Sequence, residues 1–406
     1  MKLSVKPRNI DETDHYFYRA RTTKLRLGSS KSITTPIRAI NNSELNAKGH
    51  VPTIKELKPE IGGLFFKLST STSKNARNID DFVHTNEGYK KVLQAVNTKL
   101  LQTWHYFLTY VVLQPTKDAI QRLKNTHSVE SFLRMQALLQ INDLDEVSLD
   151  VVTIPWLNLS SKEFIETHKR CLNYCPHKNI MPILDPSCDE KTFLEILEYL
   201  DSYEGTDMLN ILGVLYKPVT SNRANYDKLW KIFHEKNICI VLMDIDRALI
   251  KSNDVSGLHH CEFVIGDVLS LHIGNPPVFK NEETEDGVKK QKPPIETELK
   301  FFSREDLKVL RLNELKRCNK LWMDDIIETI GAKSIEKALL NYTEAENDEK
   351  KKEVLRSISK VHEFKNSCEE FVNSQKYINQ GDSLSYIQEK KTLGDLFSQT
   401  SIKKFF

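Results

Sequence analysis

Leu149-Asp-Val-Val-Thr-Ile154, Ile180-Met-Pro-Ile-Leu184, Leu209-Asn-Ile-Leu-Gly-Val-Leu215 and Ile238-Cys-Ile-Val-Leu-Met243 are short apolar runs whose centres fall about 30 residues apart. A shorter run, Phe263-Val-Ile265, follows. Nearly continuous apolarity over four to seven residues, rather than strict alternation, is the pattern of strands buried on both faces. The gaps between the runs are helical in pattern. Lys162 to Leu172, Lys191 to Tyr203 and Tyr226 to Lys236 each place apolar residues at i, i+3 and i+4. Strand, helix and strand at this interval make the unit from which parallel sheets are built.

Outward from this core, Ser32 to Ile40 and Leu64 to Leu68 read as two earlier strands. Between Glu87 and Leu139 the pattern is mostly helical, with Tyr110 to Leu113 as a further strand. Seven or eight strands over roughly 240 residues predict an α/β fold, a TIM-type (β/α) barrel rather than an open doubly wound sheet. No glycine-rich G-x-G-x-x-G turn follows an early strand and no G-x-x-x-x-G-K-[ST] occurs, which argues against dinucleotide and P-loop chemistry. The organisation expected is a basic arm over 1–30, the barrel-like domain over 31–280 and a charged linker over 281–302. A helical region over 303–378 and a flexible tail over 379–406 complete it. The helical region is expected to open at Ser303-Arg-Glu-Asp306, which has the look of a capping box, and to continue through Ile330. Further helices are expected over Ser334 to Tyr342 and Glu353 to Tyr377. Asn379 to Thr392 is polar and sparse, the composition of a tether.

The chain has 406 residues, 39% of them hydrophobic and 28% charged, a mix that supports a folded body and excludes a disordered one. No apolar run reaches the roughly 20 residues that span a bilayer. Met1-Lys-Leu-Ser-Val-Lys-Pro-Arg8 lacks the apolar segment of a secretory signal, so an intracellular protein with no membrane partner is expected. The seven cysteines, Cys171, Cys175, Cys188, Cys239, Cys261, Cys318 and Cys368, are scattered and odd in number, as free thiols in a reducing compartment are.

If the barrel forms, chemistry belongs at the carboxyl ends of its strands. Those ends supply Asp185 and Ser187, then Tyr216 and Lys217, then Asp244, Asp246 and Arg247, then Asp267, with His259, His260 and His272 nearby. Carboxylates converging beside a lysine can act as nucleophile, general base or metal ligand. Asp185, Lys217, Asp244 and Asp246 are therefore the candidate catalytic group, set against the ordinary use of Asp and Lys as turn and cap residues at strand ends. His168, Cys171, Cys175 and His177 form a second cluster. Its spacing matches no standard structural zinc pattern, so these residues are read as core, no metal site is assigned, and the cofactor is left unknown.

The charge is uneven. Over residues 1–40 nine basic residues stand against three acids, a net of +6, while the whole chain carries only +2. Tyr16-Phe17-Tyr18 abuts Arg19 and Arg21, with Lys24 and Arg26 close behind. Cations that neutralise phosphates beside rings that stack on bases make Tyr16, Tyr18, Arg19, Arg21, Lys24 and Arg26 the candidate nucleic-acid contacts.

The final stretch, Gln399-Thr-Ser-Ile402-Lys-Lys-Phe405-Phe406, resembles the PCNA-interacting peptide of sliding-clamp-binding replication and repair proteins, Q-x-x-hydrophobic-x-x-aromatic-aromatic. In one helical turn Ile402, Phe405 and Phe406 project together as an apolar plug, the helix-in-groove mode of recognition. In the family the glutamine bonds into a separate small pocket. The resemblance implies PCNA as partner, through Gln399, Ile402, Phe405 and Phe406, DNA as the object of the work, and an archaeal cytoplasm or eukaryotic nucleus as the place. Ile33-Thr-Thr-Pro-Ile-Arg-Ala39 and Pro52-Thr-Ile-Lys-Glu-Leu-Lys-Pro-Glu-Ile61 are similar to tRNA-guanine transglycosylases, barrel enzymes that exchange bases through an aspartate nucleophile. The zinc motif of that family, C-x-C-x-x-C…H, is absent here. Three readings stay open: a clamp-recruited enzyme acting on DNA in replication or repair, a non-catalytic clamp-bound adaptor, and a base-modifying or metabolic barrel.

Overall fold

The computed structural model describes residues 3–12, 19–28, 31–47, 51, 60–73, 76–103, 105–141, 149, 151–175, 178–203, 209–247, 256–261, 265–272, 299–311, 322–345 and 347–390. The clamp-like motif, Tyr16, Tyr18 and His177 lie outside these residues.

Eight strands form one parallel sheet: β4 (Ile37–Ile40), β5 (Ile61–Leu68), β6 (Leu108–Pro115), β7 (Val151–Ile154), β8 (Asn179–Leu184), β9 (Ile211–Leu215), β10 (Cys239–Ile245) and β11 (Val268–Leu271). Their order in space is β6-β5-β4-β11-β10-β9-β8-β7, and every pairing along it is parallel. That is chain order written round a circle, with β11 beside β4 and β6 and β7 left at the two ends. Side chains close that last gap. Thr153 Oγ1 donates to Val111 O at 2.7 Å, and Gln140 donates to Val111 O (3.2 Å) while accepting from Thr153 N (2.8 Å). The fold is a TIM-type barrel, as the spacing of apolar runs predicts. The strands are buried on both faces, which is why they read as unbroken apolar runs.

Outer helices follow the strands: α1 (Asn42–Ala47) after β4, α2 (Ile79–His84) and α3 (Asn86–Leu100) after β5, α4 (Lys117–Asn125) and α5 (Val129–Ile141) after β6. Next come α6 (Ser161–Tyr174), α7 (Glu190–Asp201), α8 (Arg223–Phe233) and α9 (Gly257–Cys261). Local chemistry sets their starts. Ser160 and Glu163 form a capping box for α6, and Asp189 takes the Thr192 N–H at the start of α7.

The structure differs from expectation at four places. The arm over 1–30 is folded: β1 (Leu3–Glu12), β2 (Arg19–Leu27) and β3 (Lys31–Thr34) make an antiparallel sheet under the amino end of the barrel. Leu3 N donates to Asn179 Oδ1 at the start of β8, and Thr23 Oγ1 to Asp267 just before β11. Of the strand expected at 263–265, Phe263 and Val264 lie outside the described residues and Ile265 is in a turn; the strand described here is β11, because Asp267 fixes the register. Its N–H and its carboxylate both bond Ile240, so the ladder begins after it. Ser303-Arg-Glu-Asp306 opens a turn rather than a helix, joining β12 (Lys300–Ser303) to β13 (Lys308–Arg311). Phe301, Phe302, Leu307 and Val309 are buried across this hairpin, and Leu307 takes φ +52° in the turn. The fourth difference is at 379–390. After α10 (Trp322–Ile330) and α11 (Ala332–Thr343), α12 (Asp348–Gln380) runs 33 residues and ends at Gly381 with φ +69°. The next segment is no tether but a packed helix, α13 (Ser383–Glu389), with Tyr386 and Ile387 buried and Ser383 bonded to Asp11 of β1.

α12 serves as the barrel's last outer helix. Arg38 of β4 donates to Glu363 O (3.0 Å) and Ser367 Oγ (2.9 Å), pairs with Glu44 and lies over the Phe364 ring. Arg247, after β10, pairs with Glu363. At the other end of α12, Gln375 donates to Thr34 O and Pro36 O, and Asn379 accepts from Asn9 and Thr22. No helix among the described residues is long and apolar enough to cross a membrane.

Candidate active site at the barrel mouth

Parallel pairing puts the ends of β8, β9, β10 and β11 side by side: Leu184 beside Val214, Leu215 beside Met243, Ile245 beside Leu271. The residues that follow therefore share one rim. Asp185 ends β8 and accepts from Ser187 N (2.8 Å) and Ser187 Oγ (2.6 Å), which fixes its carboxylate. Lys217 Nζ stands 3.6 Å from Asp185 Oδ2. The Lys217 backbone is clamped by Tyr226 of α8, whose hydroxyl accepts from Lys217 N and donates to Lys217 O, both at 3.1 Å.

Asp244 sits in a shift of register between β10 and β11, and its φ is +62°. An irregularity of this kind re-aims one side chain, and a non-glycine residue held left-handed carries about 1–3 kcal/mol of strain that packing must offset. The re-aimed carboxylate meets His272 Nδ1, at the end of β11. The backbone of His272 is fixed in turn by its N–H donating to Ile245 O at 2.7 Å. Burial pushes the Asp244 carboxyl up, but the hydrogen bond and charge of His272, aided by Lys67 and Lys217, win and hold it below the ordinary value. Asp244 is thus held toward its charged form by His272, with a smaller contribution from the charges of Lys67 and Lys217. Lys67 comes from β5, in Leu64-Phe-Phe-Lys-Leu68. A charge at an internal position of an apolar run was the signal that could have revealed it.

Asp185 and Lys217 are brought together, and Asp244 lies on the same rim, near enough for the charge of Lys217 to act on it. Asp246 lies on the same rim but is exposed, and the Tyr216 hydroxyl feels its charge. Its carbonyl abuts Gly257, where a Cβ would lie 1.9 Å from Asp246 O. A carboxylate–imidazole pair with a neighbouring lysine and second carboxylate can move protons at a bound substrate or present a nucleophile. Among the described residues no three His, Cys, Asp or Glu side chains group so as to hold a metal ion.

The remaining candidates fall elsewhere. Asp267, expected at a carboxyl end, lies at the amino end before β11 and pairs there with buried Arg21 at 2.5 Å. Arg21 also donates to Phe233 O, His234 O and Ile238 O, so it is a structural cation and not a phosphate contact. Arg19 pairs with Asp227 at 3.0 Å over Trp230. Lys24 is half-buried and Arg26 exposed, at the barrel end opposite the mouth. His259 is stacked between Phe302 and Phe371, and burial lowers His260 to about 4. His168 bonds Tyr199 at 3.0 Å, and burial lowers it to about 4 while raising Cys171 to about 12 and Cys175 to about 11. Neutral thiols beside a neutral imidazole are core groups. A surface cavity of about 390 Å³ between α4, α5 and α6, spanned by the ion pair of Arg170 with Glu130, is remote from the mouth and gathers none of the rim residues.

No family model and no curated protein matches the chain. Among solved structures, tryptophan synthase from M. tuberculosis in its aminoacrylate-bound form is 10% identical, over 58% of this chain and 82% of that one, with a TM-score of 0.29. GH26A from Muricauda sp. MAR_2010_75 is 12% identical over 58% and 82%, with a TM-score of 0.31. Values this low add nothing to the strand order, on which the fold rests.

Proposed function

We propose that this chain is a PCNA-bound protein that acts on DNA in replication or repair, with the barrel mouth as its active site. The recruitment rests on Gln399, Ile402, Phe405 and Phe406, which carry every specified position of the clamp-binding peptide. The chemistry rests on one observation above the rest, the left-handed Asp244 held against His272. Asp244 keeps the imidazole oriented, and the other ring nitrogen of His272 exchanges a proton with the substrate. Lys217 and Lys67 supply positive charge for a phosphate or a developing anion. A base-exchange or base-modifying reaction, as the similarity of 33–39 and 52–61 to transglycosylases implies, would use Asp244 or Asp185 as the nucleophile. A clamp partner works where the clamp works, in a nucleus or an archaeal cytoplasm.

Two measurements test this. A peptide of residues 390–406 should bind PCNA at micromolar or tighter Kd, and changing Phe405 and Phe406 to Ala should abolish it, because buried aromatic anchors dominate such interfaces. Unchanged affinity in calorimetry refutes the recruitment. Duplex and single-stranded DNA incubated with the full chain and loaded PCNA, then digested and read by mass spectrometry, should show altered nucleosides or cleavage that Asp244→Asn eliminates. Full turnover by that variant refutes the role of the mouth, and no change with the wild type favours the adaptor reading.

A further inference from the structure

We infer that the outward face of the N-terminal sheet binds the phosphate backbone of DNA. The inference deepens the DNA-directed reading and rests on it for the identity of the ligand. The register of β1 and β2 sorts the basic arm into two populations. Leu3, Val5, Leu25, Leu27 and Ile33 point inward and are buried. Outward lie Ser4 opposite Arg26 and Lys6 opposite Lys24, with Arg8 exposed at the bulge between Pro7 and Asn9.

Like charges directly opposite on one face of an antiparallel pair repel. Lys6 facing Lys24, with Arg26 on the diagonal, is such an arrangement, and a polyanion relieves it. Among the described residues Lys6, Arg8 and Lys24 have no ion pair, in contrast to Arg19 and Arg21, which are spent on Asp227 and Asp267. α12 and α13 cover the other half of the same face, where Asn379 takes Asn9 and Thr22 and Ser383 takes Asp11. Asp11 is thereby covered, while Lys6 and Arg8 stay exposed and Lys24 half-exposed. Ser4 and Ser32 are exposed beside them and can donate to phosphate oxygens. Among the described residues of the sheet one large apolar side chain, Ile10, is exposed, fewer than a membrane-surface element inserts. Because the sheet lies at the amino end of the barrel, a duplex held there runs past the end opposite the mouth. It holds the protein on DNA and does not feed the active site.

The test is fluorescence anisotropy of a labelled duplex of random sequence with the full chain, across salt, against the variant Lys6→Ala/Arg8→Ala/Lys24→Ala. Each phosphate that is no longer neutralised takes about 0.9 off the slope of log affinity against log salt, so the slope should flatten by roughly 2 to 3. In the wild type these three cations alone should weaken binding by roughly fortyfold between about 50 and about 200 mM salt, a decline that the variant does not show. The same slope and affinity for both proteins overturns the inference. So does a variant that keeps its duplex affinity and loses binding to phosphatidylserine vesicles. Circular dichroism and an unchanged urea midpoint establish that the variant is folded. The failure of this surface leaves clamp binding and Asp244-dependent turnover untouched, so the two readings fail separately.

Discussion

Asp267→Asn tests the junction on which the lower half of the molecule depends. The Asp267 carboxylate is fully buried, and Oδ1 accepts from Arg21 Nε (3.2 Å), Thr23 Oγ1 (2.7 Å) and Thr35 Oγ1 (3.1 Å). Oδ2 accepts from Arg21 Nη2 (2.5 Å) and Ile240 N (2.8 Å). Asparagine fits the space but must aim its NH₂ at one of these two sets of donors. Threonine hydroxyls can rotate to accept, whereas Arg21 Nε and the Ile240 N–H cannot, so at least one donor faces a donor in either orientation. Arg21 also loses its counter-charge inside the protein. Removing one partner of a buried pair costs about 3–5 kcal/mol. The value expected is about 3, because the carbonyls of Phe233, His234 and Ile238 still hold the guanidinium. That is a large share of a total stability of roughly 5–15 kcal/mol. Urea denaturation followed by circular dichroism reads it. Combining Asp267→Asn with Arg21→Met should cost less than the two single changes summed, since the uncompensated charge is gone. A loss below about 1 kcal/mol for Asp267→Asn, or strict additivity of the pair, refutes the account of this site as a charge-balanced clamp.

The mouth makes two further expectations. Gly257→Ala puts a Cβ 1.9 Å from the Asp246 carbonyl oxygen, a backbone atom that cannot step aside, and should destabilise by about 1–3 kcal/mol or more. Gly213→Ala, whose close neighbours at 2.9 Å are the side-chain atoms Ile183 Cγ1 and Met243 Cε and whose nearest backbone atom, Pro182 O, is at an ordinary 3.5 Å, should cost less, and thermal melting of the two variants gives the order. Asp244 is held below its ordinary value, so its contribution to stability is present above the unfolded carboxylate pKa of about 3.9 and lost as pH falls through the folded value. The gap in urea midpoint between wild type and Asp244→Asn should therefore shrink between about pH 5 and about pH 2, and a gap that widens on acidification refutes the assignment.

The barrel was legible because its strands are buried on both faces, and such strands announce themselves as apolar runs without needing tertiary knowledge. The rim followed from them: once Leu184, Leu215 and Met243 are strand ends, Asp185, Lys217 and Asp244 are neighbours. What escaped is what long-range partners decide. Val268 to Leu271 is four residues long and begins where Asp267 captures Ile240, a long-range contact that no local apolar run announces. Ser303-Arg-Glu-Asp306 satisfies a helix-start pattern, yet the inward pull of Phe301, Phe302 and Val309 across the two strands makes it a hairpin turn. Asn379 to Lys390 has the composition of a linker, but Tyr386 finds Glu370 and Ser383 finds Asp11, 372 residues away along the chain. Within the arm, alternation alone separates Arg21, Thr23 and Leu25, which face in, from Lys24 and Arg26. Reading period two there would have divided structural cations from surface ones.

The packing of α13 bears on how a clamp-bound chain would meet its substrate. α12 descends from the mouth, where Arg247 grips Glu363, to the N-terminal sheet, where Asn379 meets Asn9 and Thr22. α13 then doubles back, so that Lys390 bonds Glu370 and the carbonyl of Arg304, on the flank of the barrel between its two ends. The motif begins at Gln399, so residues 391–398 separate it from Lys390, the last of the described residues. At about 3.3–3.6 Å per residue this chain reaches at most roughly 30 Å. On the proposed recruitment, a clamp engaged through this segment stands within that reach of Lys390, and the duplex it encircles lies outside the mouth. A base or strand acted on at Asp244 must then leave the axis of that duplex to enter the mouth, as targets that are buried in a helical stack do when an enzyme extrudes them. The basic face under the barrel suits the same geometry, because it can hold the duplex that continues past the clamp while the mouth, at the other end, takes what has been displaced from it.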